Sequence, residues 1–96
     1  MQLDILTPER KLYSGDVTYV EMPGIDGYFG VLDNHAAMIS ALGAGKITVD
    51  QVNAITPSEN EEANTFMTEA KDKRFTFDVK GGVAEIFHNK VIVLLD

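Results

Sequence analysis

Ninety-six residues with 45% apolar side chains are enough for one globular domain and too apolar for general disorder. Without cysteine there is no disulfide and no thiolate metal site, and no apolar run approaches the ~20 residues of a helical membrane span. Eight basic residues against fifteen acidic, a net charge of −7, argue against the basic stripe that nucleic acid requires. The chain therefore reads as a soluble domain, with no visible signal peptide before its first patterned stretch.

In chain order, the signal is period two, which puts alternate side chains on opposite faces of a strand. QLDIL sets Leu3 and Ile5 against Asp4. DVTYVEM has apolar residues of both parities: Val17 and Tyr19 on one face, Val20 and Met22 on the other. A strand between a core and a second contact surface has that pattern. Next, GYFGVLDNHAAM places Tyr28 and Phe29 among glycines, where aromatics either plug the end of a sandwich or meet a partner. NHAAMISAL is read as extended or mixed, with a short helix capped by Asn34 as the alternative. KITV alternates through Ile47 and Val49. Residues 51–72 form an acidic insertion around Pro57, read as a flexible loop or a short helix from about Glu61 to Lys71. Six carboxylates from Asp50 to Asp72 face Lys71 alone, so most of the net charge is local. RFTFDV puts Phe75, Phe77 and Val79 on one face. Gly81-Gly82 suits a two-residue hairpin between Val79 and Val83, and Asn89-Lys90 offers a weaker turn between VAEIF and VIVLL. Short strands with frequent glycine and proline favour an all-β sandwich or barrel.

Chemistry is harder to find. GAGK at 43–46 has a fragment of a phosphate-binding loop, but Ile47 follows the lysine and a strand begins there; a glycine turn is the plainer reading. His35 and His88 are far apart in sequence and belong to no ligand pair. His88 fits the solvent end of a hairpin. Asp33 beside His35 has the makings of an oriented acid–base pair, yet no nucleophile motif accompanies it. Glu59, Glu61 and Glu62 lack the spacing of a calcium loop and read as a solvated run.

Taken together and in order, LDILTPERKLYSGDV, PGIDGYFGVLDNHAAMISAL, GKITV and FDVKGGVAEIFHNKVIVLLD resemble the N-terminal domain of the F-type ATP synthase epsilon subunit. The resemblance covers nearly the whole chain apart from about 51–72. It implies an all-β fold, a flattened β-sandwich of about ten short strands over residues 1–96, carrying the acidic insertion. It further implies a non-catalytic rotor subunit that binds the gamma subunit along one side and the ring of membrane c subunits at one end. No cofactor and no metal follow from it, and membrane association comes only through the complex, on the cytoplasmic face of the bacterial inner membrane. Residue by residue, it assigns Asp26, Gly27 and Tyr28 to the ring-facing turn and Thr7, His35 and Ser40 to contact with gamma. Tyr28 stands where relatives often have a carboxylate, and Ala37 where they have proline after His-Ala. Many relatives continue past the position of Asp96 into a two-helix domain. The competing readings are a small β-barrel that binds a ligand or metal through the His35 region and, last, an enzyme using Asp33 and His35.

Overall fold

The computed structural model describes residues 1–54 and 66–96. Nine strands and no helix occur among the described residues, close to the expected ten. They are β1 (Gln2–Leu6), β2 (Lys11–Gly24), β3 (Gly27–Leu32), β4 (Met38–Leu42), β5 (Gly45–Gln51), β6 (Glu69–Lys71), β7 (Arg74–Val79), β8 (Gly82–Phe87) and β9 (Lys90–Leu95). One layer is built on β1, which pairs in parallel with β9; β9 pairs β8 and β8 pairs β4. The other runs β3–β2–β5–β7–β6. β2 belongs to both layers, its first half paired with β1 and its second with β3 and β5.

The alternating patterns explain which face each strand buries. Leu3, Ile5, Ala84, Ile86, Val91 and Val93 point inward from the first layer, and Val20, Met22, Val31, Ile47, Val49, Phe75 and Phe77 from the second. All are 2% exposed or less, and no polar residue is buried among the described residues. The inner space is thus filled by side chains, which removes the ligand-holding barrel as an architecture. An aromatic group anchors one end: Phe75 stacks on Phe77 at 6.2 Å, with Tyr13 5.1 Å from Phe75. Phe66 lies edge-on to both rings, 5.9 and 5.2 Å away. The returning limb of the acidic insertion therefore closes the core, a packing role its polar composition conceals.

Several local expectations need correction. In β2, Val17 and Val20 face the same core, so the strand does not present two apolar faces. Val17 pairs Gln51 and Tyr19 pairs Asp50, leaving Thr18 as the extra residue of a bulge. One inserted residue reverses the parity of everything after it. Gly81-Gly82 is not a hairpin turn either, because β7 and β8 lie in different layers and do not pair. Glycine is required at 82 for close approach: φ is +155°, and a Cβ would collide with the Leu94 carbonyl. The β8–β9 hairpin turns on His88-Asn89, one residue earlier than Asn89-Lys90, with φ of +49° and +58°. Two consecutive left-handed residues are what a type I′ turn needs, and His88 does sit at its exposed tip. NHAAMISAL becomes a turn, a short link and β4, as the extended reading expects. Of the alternative helix from Glu61 to Lys71, residues 61–65 lie outside the described residues and Glu69–Lys71 is strand β6.

Candidate functional site

The β2–β3 turn is Ile25-Asp26, closed by the pair Gly24 and Gly27. Gly27 has φ +133°, a conformation L side chains rarely adopt, so its part is to shape the turn. The two aromatics that follow separate by parity. Phe29 turns inward and packs against the core, whereas Tyr28 is 56% exposed. Tyr28 is nonetheless fixed. The Lys46 N–H donates to its hydroxyl at 3.0 Å, and a Cβ on Gly45 would come within 2.5 Å of that oxygen and 2.8 Å of Pro23 Cβ. The turn is tied to β4 by two hydrogen bonds, Ile25 N–H to the Ala41 carbonyl (3.2 Å) and Gly43 N–H to the Pro23 carbonyl (2.9 Å). Between turn and strand lies an open cleft of about 590 Å³ bordered by Asp26, Gly27, Tyr28, Met38, Ile39 and Ser40. The structure therefore brings Ser40 to the same cleft as the three turn residues. Its side chain shares the inward parity of Met38 and Leu42, not the outward one of Ile39.

Thr7 and His35 are elsewhere. Thr7 follows β1, and its hydroxyl accepts from the Arg10 N–H at 3.2 Å and donates to the Arg10 carbonyl at 3.1 Å, closing the β1–β2 turn. His35 lies near the opposite end of β1, where Asn34 N–H donates to Asn89 Oδ1 at 2.8 Å and Gln2 N–H to the Asn89 carbonyl at 3.2 Å. There His35 and His88 border one shallow depression of about 460 Å³ with Asn34, Ala37, Phe87 and Asn89. Sequence distance hid this proximity. Asp33 is not engaged with the imidazole: its carboxylate accepts from the Met1 ammonium at 2.9 Å, and His35 Nδ1 lies 2.7 Å from the Ala36 carbonyl. No cluster of three metal-ligating side chains exists among the described residues. The acid–base pair read from adjacent letters is thus absent.

Both outer faces carry ion pairs, Lys90–Asp4 at 3.5 Å on the first layer among them, and the first layer carries an apolar row as well. Across the second layer run ion pairs: Arg74 donates to both Asp50 oxygens at 2.7 and 2.9 Å, and Lys46 lies 3.1 Å from Asp78. The Arg74 hydrogen bonds hold Asp50 below its ordinary range, and the same contact pushes Arg74 up. Across the first layer, Leu6, Leu94, Val83 and Ala41 align in one apolar row through the pairings of β1, β9, β8 and β4. Ile39, 74% exposed, and Phe87, 53%, extend it. Sequence reading missed this face, although VIVLL carries apolar residues of both parities and that was the available signal.

The family model described as "ATP synthase, Delta/Epsilon chain, beta-sandwich domain" matches residues 1–58. The chain belongs to that family. Among ATP synthase epsilon chains, that of Chlorobium limicola is 33% identical over 95 residues, covering 99% of this chain and 88% of the relative. That of Maridesulfovibrio salexigens is 37% identical over 94 residues, covering 98% of this chain and 53% of the relative. The chain thus spans about half the length of some epsilon chains and nearly nine-tenths of others. In solved structures, the fold matches a chain of the Tetrahymena thermophila mitochondrial ATP synthase central stalk and c-ring. The TM-score there is 0.72 at 11% identity, covering 99% of this chain and 62% of that one. The epsilon-type sandwich is therefore the frame on which the turn, the cleft and the apolar face are carried.

Proposed function

We propose that this epsilon-family chain is a non-catalytic central-stalk subunit of a proton-translocating F-type ATP synthase. It binds the gamma subunit and the ring of c subunits and couples proton flow to ATP synthesis, held at the cytoplasmic face of the bacterial inner membrane by that complex. The observation that carries the reading is the apolar row on the outer face of the β1 layer. A row of leucine, valine and alanine across four strands suits a permanent protein neighbour, since apolar surface at the centre of an interface drives association. Thr7 and His35 stand near opposite ends of the β1 layer and bracket the gamma-binding side, while Ser40 is reached through the cleft. Asp26, Gly27 and Tyr28 form the ring-facing turn, with the Asp26 carboxylate offering charge where relatives carry it at the position of Tyr28. Cofactor chemistry and nucleic-acid binding have no part in this role.

Co-purification with gamma tests it. Val83→Glu places a charge in the middle of the apolar row without touching the core, and should abolish a stable complex. Thr76→Glu, on the charged outer face, should leave it intact. Undiminished gamma binding by Val83→Glu, in a folded protein, would count against the assignment.

A further inference from the structure

The shallow depression near the start of β1 brings the chain's two histidines to one place. Each stands on a tight turn, and the two turns are stapled together. The Asn34 N–H donates to Asn89 Oδ1 at 2.8 Å, and these residues are the chain neighbours of His35 and His88. Within its own turn, the His35 N–H donates to the Leu32 carbonyl at 3.2 Å, and Asn34 takes a left-handed φ of +63°. His88 and Asn89, both left-handed as well, reverse the β8–β9 hairpin. The two backbones are thus held beside each other without help from either imidazole.

The ring chemistry follows from the contacts. A carbonyl oxygen can only accept, so His35 Nδ1, 2.7 Å from the Ala36 carbonyl, carries the ring proton. That contact fixes the tautomer and leaves the lone pair on Nε2. Histidines that ligate metals are held in this manner, the second ring nitrogen donating to a backbone carbonyl, a carboxylate or water. His88 stands exposed at the hairpin tip, where its side chain can change rotamer. Asn34, Ala37, Phe87 and Asn89 complete the border, with no carboxylate among them. Asp33, beside Asn34 in the chain, is taken by the Met1 ammonium, and Lys90, beside Asn89, is drawn to Asp4 at 3.5 Å. Imidazole donors without carboxylates suit zinc or copper, whereas calcium and magnesium require oxygen ligands. The net charge of −7 favours the approach of a cation.

We propose that His35 Nε2 and the His88 imidazole chelate one divalent transition-metal ion of the zinc and copper class, with water completing its coordination. The bound ion clamps the β3–β4 link to the β8–β9 hairpin. This goes beyond the rotor reading and does not depend on it, since the isolated chain presents both rings. Titration of the full chain with zinc chloride at neutral pH tests it, followed by calorimetry and by nitrogen NMR of the histidine rings. One ion should bind per chain, the His35 Nε2 and His88 ring signals should shift together, and the melting temperature should rise as mass action requires. His88→Asn keeps a residue that tolerates the left-handed turn, and His35→Ala removes the other ring. Each should weaken binding about tenfold or more, and the double variant should be little worse than either, because the two rings act as one chelate. Metal-free melts check that the variants are folded, and the ring signals of the unsubstituted chain decide the question without them. Absence of binding at millimolar zinc overturns the proposal. So do two independent weak events, each removed by its own substitution. Undiminished affinity in the double variant overturns it in favour of a site elsewhere in the chain.

Discussion

At the scale of single residues, position in the strand decides what adjacent letters mean. Tyr28 and Phe29 look alike in sequence, yet one half-turn of the pleat sends Phe29 to the core and Tyr28 to the surface. Asp33 next to His35 reads as a catalytic pair until the Met1 ammonium takes the carboxylate. Asp50, which no motif singles out, is the residue whose charge matters most visibly to its neighbours. Its hydrogen bonds from Arg74 favour the ionised carboxylate and lower its affinity for protons in the folded state. Between that lowered value and the ordinary aspartate value of ~3.9, the unfolded chain binds more protons, so stability rises with pH there. The contribution is complete above the unfolded value and is lost as pH falls through the folded one. Asp50→Asn should therefore lower the melting temperature near neutral pH and flatten its fall in acid. Parallel melts from pH 7 to pH 2 measure this; an unchanged acid limb would show that the pair contributes nothing, as many exposed pairs do.

Strands and turns are the scale at which the sequence is most and least informative. β5 and β7 follow from alternation alone, because each has a clean apolar parity and a polar one, and β1 departs only at Leu6, an apolar residue on the outward parity. β2 does not, since a bulge at Thr18 shifts its parity and makes a one-faced strand look two-faced. The Gly81-Gly82 pair misleads for a related reason: glycine serves close approach to the Leu94 carbonyl as readily as it serves a turn, and both leave the same letters. Ser40 and the Asp26–Tyr28 turn belong to one cleft through β2–β4 hydrogen bonds that no local pattern encodes. The distinction between core and surface parity can be measured directly. Phe77 is 1% exposed and in contact range of Phe66 and Phe75, so Phe77→Ala should cost about 3–5 kcal/mol of stability in denaturant melts. Tyr28→Ala loses one exposed hydrogen bond and partly exposed ring packing, and should leave a cooperative, native-like melt. Equal unfolding by both changes would mean that Tyr28 belongs to the core and not to the partner-facing turn.

For the molecule as a whole, the closing element is β9. It contributes the fully buried Val91 and Val93, pairs β8 through an antiparallel hairpin, and supplies β1 with the parallel neighbour that joins the two ends of the chain. β1 is in turn the partner of the first half of β2, the strand shared by both layers. Neither layer is therefore an independent unit: removing β9 would unpair one edge of β8 and of β1 and open two core positions. Contacts between residues so distant in sequence close a loop of nearly the whole described chain, which couples the β1 layer to the presence of β9. A chain ending at Asn89 should accordingly show no cooperative thermal transition and little dispersion of its amide NMR signals. Adding a synthetic peptide of residues 90–96 in excess should restore both, with a midpoint that depends on peptide concentration as mass action requires. A truncated chain that melts cooperatively without the peptide would refute this coupling and would place the minimal folding unit within β1–β8.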